Sequence, residues 1–266
     1  MVNAEHPKGV RPLGSVLKTL ALLDELGRSR EPRRLVELSR SLTESRSTTY
    51  QKLVTLMHAG WVEVDASGRY RLSLHAARVG SIALEQASLD ARSTAVLRDL
   101  ADEAAETASL AILSRNRAEL IQRVEADGVA VQARVSVGAR MSLDSSSSGR
   151  VLTAFAAPEA REALNRSGAA LAPPVMLRRV LRAGYAVSAG TDFPGVRSVA
   201  APIFDASGAC VFALSVAAPV ERFNEERLAS LLLHAAERLN RLIGGEAAVA
   251  LQASRSGQGA SPGRSM

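Results

Sequence analysis

The chain has 266 residues, 47% apolar and 23% charged, and its 33 basic and 27 acidic side chains leave a net charge of +6. This length and mixture suit one large or two ordinary globular domains and exclude a disordered or collagen-like chain. Cys210 is the single cysteine, which excludes a disulfide framework or a cysteine zinc site; the four histidines (His6, His58, His75, His234) are too scattered for a metal cluster, and no apolar run approaches the ~20 residues that span a bilayer.

Residues 1–13 are polar, with no apolar signal-peptide core, and are expected to be disordered at the start of a cytoplasmic protein. The pattern over 14–26 predicts a helix with Val16, Leu17, Leu20, Leu23 and Leu26 on one stripe, Ser15 as its cap and Gly27 as its stop. A short second helix follows over 35–42. After the break Thr43-Glu44-Ser45, a third helix over 46–58 is expected to turn Tyr50, Leu53, Val54 and Met57 inward. Residues 61–64 alternate with period two, Asp65-Ala66-Ser67-Gly68 makes a turn, and 69–72 is the returning strand. Three helices and a hairpin within residues 14–73 spell a winged helix-turn-helix. Its basic excess agrees: residues 1–88 carry 13 basic and 9 acidic side chains, against 20 and 18 in the rest.

A helix over 74–84, rich in small residues, opens a linker spanning 74–92. Another over 94–107 leads into a second domain, 93–244, with Val96, Leu97, Leu100, Ala101 and Ala104 at helical spacing. Strands are expected over 110–113, 120–124, 129–137, 185–188, 199–204 and 211–217, the last pair joined by a second Asp-Ala-Ser-Gly turn at 205–208. Helices are expected over 147–156, 159–164, 175–183 and 225–243. Consecutive strands with segregated helices make this domain α+β. Residues 245–266 turn to Gly, Ala, Ser, Gln and Arg and are expected to form a disordered tail.

The second helix of a helix-turn-helix enters the major groove N-terminus first. Here that helix opens Arg46-Ser47-Thr48-Thr49-Tyr50-Gln51-Lys52. Arg46 and Lys52 suit phosphates or guanine, Gln51 suits adenine, and Ser47, Thr48 and Thr49 are short donors near the backbone. Tyr50 lies among these positions but is expected in the core with Leu53 and Met57. Arg69 and Arg71 on the wing are placed to follow phosphates or the adjacent minor groove. The partner implied is a double-stranded DNA operator.

With these motifs in order, the chain resembles the IclR family of bacterial transcriptional regulators over about residues 14–244. The likeness is carried by Ser15-Val16-Leu17-Lys18-Thr19-Leu20, by Leu35 through Leu42, by Arg46 through Leu53 and by the wing. In the second half it is carried by Gly184-Tyr185-Ala186-Val187, by Pro194 through Phe204 and by Ala213-Leu214-Ser215-Val216. The resemblance implies a GAF-like effector-binding domain behind the winged helix, a dimer or a tetramer made of paired dimers, no cofactor, and control of a catabolic or metabolic operon, with repression the expected sign. It also implies effector contacts from Met141, Ser147, Ser148, Ser188, Val196, Ser198, Ser215 and Ala217. The chain departs from many members where Ser188 replaces an acidic residue, Ser198 a cysteine and Ala217 a serine, and where Asp144-Ser145-Ser146 replaces His-Ala-Thr or His-Ala-Ser. These changes are expected to make the pocket less negative and suited to a small carboxylate or a neutral, hydroxylated metabolite.

Two other function classes compete. A serine hydrolase would need a nucleophile among Ser145–Ser148 and His234 as base, but no Gly-x-Ser-x-Gly elbow is present and His234 lies in an apolar helical stretch. A winged helix used only for protein contacts or dimerisation has no need of the donor-rich turn Arg46–Lys52. For Cys210, on an alternating strand, a buried structural thiol is expected rather than a redox sensor.

Overall fold

The computed structural model describes residues 11–257 except 30, 88 and 129–134, with side-chain surroundings as far as residue 244. The chain divides after residue 87 into two compact units.

The first unit contains α1 (Gly14–Arg28), β1 (Arg33–Arg34), α2 (Leu35–Ser41), α3 (Arg46–His58), β2 (Val62–Val64), β3 (Arg69–Leu72) and α4 (Leu74–Gln86). Its antiparallel sheet has the order β1-β3-β2. The sequence pattern missed β1, since two arginines carry no strand signature; backbone pairing with Arg69 and Tyr70 makes it a strand. Leu22, Leu26, Leu38, Leu53, Leu56, Val62 and Tyr70 form the core. This corrects the expected stripe on α1, because Leu22 and Leu26, four apart, face inward while Val16, Leu17 and Leu20 stay about half exposed. Ser15 does not cap α1, and Gly27 does not stop it: the helix runs on to Arg28. In α3 the buried positions are Thr49, Leu53 and Leu56, so Tyr50 and Val54 are exposed rather than inward. On α4 no residue is buried.

The second unit contains α5 (Ala91–Ala104), β4 (Thr107–Ser114), β5 (Arg117–Val124), β6 (Arg140–Met141), α6 (Ser147–Ala154), α7 (Pro158–Arg166) and α8 (Pro174–Ala183), then β7 (Ala186–Val187), β8 (Val196–Phe204), β9 (Cys210–Pro219) and α9 (Glu225–Gly257). The strands form one antiparallel sheet, β6-β5-β4-β9-β8-β7, so the unit is α+β. Helices α6 and α8 pack on one face with Ala200, Phe204 and Ala213. Alternation along β8 and β9 turns Val199, Ala201, Ile203, Leu214 and Val216 to the other face. Asn240, fully buried on α9, accepts from the Phe204 N–H at 2.7 Å and so holds α9 on β8 where the β8–β9 register shifts.

Of the strand expected over 129–137, residues 129–134 lie outside the described residues; 135–137 are not strand, and β6 at 140–141 makes the pairing instead. Helix α9 runs well into the segment expected to be tail. Glu246, Ala247, Ala248, Ala250, Leu251 and Ala253 are strong helix formers, and they offset the cost of about 1 kcal/mol for each of Gly244 and Gly245. Most of the disordered N-terminus expected over 1–13 lies outside the described residues.

Both Asp-Ala-Ser-Gly turns fold in the same way. Asp65 Oδ1 accepts from the N–H groups of Ser67 (2.8 Å) and Arg69 (3.0 Å), and Asp205 Oδ1 from those of Ser207 (2.9 Å) and Ala209 (3.0 Å). The glycine closing each turn has positive φ, 73° at Gly68 and 79° at Gly208, a conformation open to glycine at little cost. The Ser67 hydroxyl and these N–H groups outweigh burial and hold the Asp65 carboxyl below its ordinary 3.8.

Candidate functional site

Helix α3 begins behind Ser45, whose hydroxyl accepts from the Thr48 N–H at 3.1 Å and lies 2.9 and 2.8 Å from the Ser47 and Thr48 hydroxyls. The cap leaves Arg46, Ser47, Thr48, Tyr50 and Gln51 exposed on the outer face of the helix. Two expected DNA-facing residues are instead turned inward. Thr49 is fully buried, and its hydroxyl donates to the Ser45 carbonyl at 3.0 Å. Lys52 Nζ lies 2.6 Å from Glu44 Oε1, and only 10% of its side chain and 12% of that of Glu44 are exposed. The ammonium therefore ties α3 to the preceding turn and is not presented to a phosphate. The sequence signal was Glu44 eight residues earlier, which local spacing rules do not pair with Lys52. On the wing, Arg71 Nε donates to Glu63 across the hairpin at 2.6 Å, and Arg69 is half-buried.

The second unit holds a cavity of about 40 Å3 on the α6 face of its sheet. Seven of the eight expected effector contacts line it: Met141, Ser148, Ser188, Val196, Ser198, Ser215 and Ala217. Strand alternation explains why distant positions meet. Val196 and Ser198 on β8 and Ser215 and Ala217 on β9 point to one face, and Ser198 pairs with Ala217 in register. Ser147 is the exception: its hydroxyl lies 2.7 Å from that of Ser198, so it anchors α6 to β8 and does not line the cavity.

Ser145 and Ser146, from the segment expected to shape the pocket, also line it, and so do walls that the sequence did not mark: Ser109, Leu120, Val135, Gly190, Asp192 and Phe193. Ser109 stands directly opposite Ser215 on β4, and the Ser215 hydroxyl donates to its carbonyl at 3.4 Å. It was missed because β4 starts three residues before the expected strand. Asp192 is an acidic wall that the sequence reading did not weigh. Its carboxylate accepts from the Ser142 hydroxyl at 2.8 Å and from that of Ser145 at 3.4 Å. An acidic group is thus present, four residues beyond the position where Ser188 lacks one.

The N-terminus of α6 is pinned beside this cavity. Ser146 caps it by accepting from the Gly149 N–H at 2.9 Å, and Ser146 Oγ donates to the Ser142 carbonyl at 2.6 Å. Arg150 donates to the Asp144 carbonyl at 2.7 Å and to the Val187 carbonyl at 2.6 Å, joining the helix to β7. Burial lowers the pKa of that guanidinium. Ser148, by contrast, is 2% exposed and lines the cavity itself. Its hydroxyl can both donate to and accept from a ligand there.

None of these serines is hydrogen-bonded to a histidine among the described residues, and His234 is exposed on α9. Cys210 is half-buried, with Sγ 3.5 Å from the Phe212 carbonyl. No helix among the described residues is long and apolar enough to cross a membrane.

The model of the IclR helix-turn-helix domain matches residues 15–66, and that of the bacterial transcriptional regulator IclR C-terminal domain matches residues 81–241. The chain is 31% identical to the HTH-type transcriptional regulator KdgR of Escherichia coli strain K12, over 90% of this chain and 95% of that one. It is 28% identical to the transcriptional repressor IclR of the same organism, over 87% and 90%. The crystal structure of an IclR transcriptional regulator from Alicyclobacillus acidocaldarius superposes with a TM-score of 0.75 at 25% identity, covering 87% of this chain and 99% of that one. These relatives are named regulators, not enzymes.

Proposed function

The chain belongs to the IclR family of bacterial transcriptional regulators, and from that premise we propose a ligand-responsive regulator that binds a palindromic operator as a dimer or a pair of dimers. Each winged helix takes one half-site. Arg46 and the wing arginines contact phosphate, Gln51 reads adenine in the major groove, and Ser47, Thr48 and Tyr50 approach the backbone. The exposed apolar side chains Val16, Leu17 and Leu20 of α1 are the dimer surface we favour, because exposed leucines on a small unit gain from burial in a symmetric contact. Repression is the sign we favour, as in the relative named a repressor.

A small polar metabolite occupies the cavity under α6 and shifts operator affinity by binding two arrangements of the protein unequally. The observation that carries this reading is Ser148, 2% exposed on α6, facing a cavity whose other walls come from five strands and the loops between them. The test uses the full chain on its operator, located by footprinting of the adjacent promoter. Ser148→Val and Ser215→Val should abolish the metabolite response while leaving ligand-free operator affinity within about twofold. An unchanged response in both variants refutes the site.

A further inference from the structure

The sheet of the first unit sets two arginines side by side. Strand β1 pairs antiparallel with β3 so that Arg33 stands opposite Tyr70 and Arg34 opposite Arg69. Tyr70 is buried in the core, so alternation sends Arg34 and Arg69 together to the other face, with Arg71 two positions along β3 on the same side. Residues directly opposite on an antiparallel pair have Cβ atoms about 5 Å apart, and like charges there repel. Nothing on the page offsets that repulsion. Arg33 pairs with Glu37 and Arg71 with Glu63, whereas neither Arg34 nor Arg69 is ion-paired among the described residues. The acidic groups of this region are committed elsewhere: Asp65 Oδ1 holds the N–H groups of the turn, and Glu37 Oε2 accepts from the Arg34 N–H at 2.8 Å. Arg34 is exposed, and Arg69 is half-buried at the end of β3 that leaves the 65–68 turn. Lys52 and Arg71, both expected on phosphate, are neutralised within the protein; Arg34 and Arg69 are not.

We propose that Arg34 and Arg69 together clamp a single DNA phosphate beside the wing, Arg34 being a backbone contact outside both the recognition helix and the hairpin. This rests on the winged helix being the DNA-binding unit. Each guanidinium presents a planar fork of N–H donors that fits the free oxygens of a phosphodiester, and the bound anion relieves the repulsion that the free protein carries. The contact fixes the register of the wing on the duplex and reads no base.

The test is fluorescence anisotropy of the full chain on its footprinted operator duplex from about 50 to 200 mM salt, with calorimetry of the same proteins. Arg34→Ala and Arg69→Ala are each expected to bind about tenfold more weakly, the order for one charge-assisted contact, with base preference unchanged. Because both side chains share one phosphate, the double variant should lower the slope of log affinity against log salt by about one, not two. Arg34→Ala should melt no lower than wild type, since it removes a like-charge contact. Arg34→Lys keeps the charge without the fork and should recover part of the affinity. An operator affinity unchanged in Arg34→Ala overturns the proposal, and so does a slope that falls by two in the double variant, which would put the arginines on separate phosphates. Weaker binding with a lower melting temperature in both Arg34→Ala and Arg34→Lys also overturns it, because that is the pattern of a structural role. Arg46→Ala separates the premises. A slope that falls with Arg46→Ala but not with the double variant overturns the clamp alone, whereas a slope indifferent to all three arginines overturns the DNA-facing surface itself.

Discussion

Gly149 is the second residue after Ser147 in α6, and its missing side chain sets how closely that helix approaches the 142–143 segment. A Cβ at this position would lie 2.2 Å from the Ser142 carbonyl oxygen, 2.7 Å from Leu143 Cα and 2.7 Å from Ser146 Oγ. Cβ contacts in proteins essentially never fall below 3.0 Å, so Gly149→Ala must move α6 and the segment apart by about 0.8 Å or more. Two of the three atoms are backbone and cannot rotate away. The third is the capping hydroxyl, so relieving the clash also weakens the cap. Overpacking costs about 1–3 kcal/mol and a damaged cap about 1 kcal/mol, while the better helix propensity of alanine returns up to about 1 kcal/mol. The net is about 1–3 kcal/mol. At roughly 2–4 °C per kcal/mol for a unit of this size, the melting temperature of the second unit falls by about 2–12 °C. Calorimetry reads that shift, and operator titration reads its consequence. The first unit has its own core, so ligand-free operator affinity should hold while the metabolite response is lost. A Gly149→Ala protein that melts within 1 °C of wild type and responds normally would show that α6 is not pinned as described.

Other consequences are equally direct. Lys52→Ala should destabilise the first unit by about 2 kcal/mol, less than for a wholly buried pair because Lys18 remains 3.9 Å from Glu44 and some exposure remains. The same change should leave the salt dependence of operator binding unaltered, whereas Arg46→Ala should lower its slope by about one. A slope that falls with Lys52→Ala returns that lysine to the DNA. Gln51→Ala should relax base preference at one or two operator positions, by about 1–3 kcal/mol each, with the slope intact; competition with permuted operators measures it. The Asp65 carboxyl lies below its ordinary value in the folded wing, so its contribution is complete above about pH 4 and is lost as pH falls further. The protection of the Ser67 and Arg69 amides, measured against their intrinsic exchange rates, should therefore fall in acid in wild type and stay level in Asp65→Ala.

Local chemistry made much of this protein legible. Turn residues placed both hairpins, because an aspartate that accepts two N–H groups and a glycine with positive φ act within five residues. The order of helices and strands marked the winged helix and the α+β unit, and motif matches marked seven positions that meet around one cavity. Errors gathered where the deciding partner was remote or the pattern degenerate. The phase of α3 was misjudged because Tyr50, Leu53, Val54 and Met57 form as good an apolar stripe as Thr49, Leu53 and Leu56. Only packing against α1 and the wing distinguishes them.

The sequence by itself determined most of the helices, turns and strands and which hydroxyl-bearing residues share a strand face, since those choices depend on neighbours a few positions apart. Tertiary structure decided the charges. Lys52 is neutralised by Glu44 from across the turn, Ser147 is drawn off the cavity by Ser198, and Asp192 is delivered to Ser142 from fifty positions away. Electrostatic and hydrogen-bond partnerships act through space, and the side chains they couple have no sequence period to announce them.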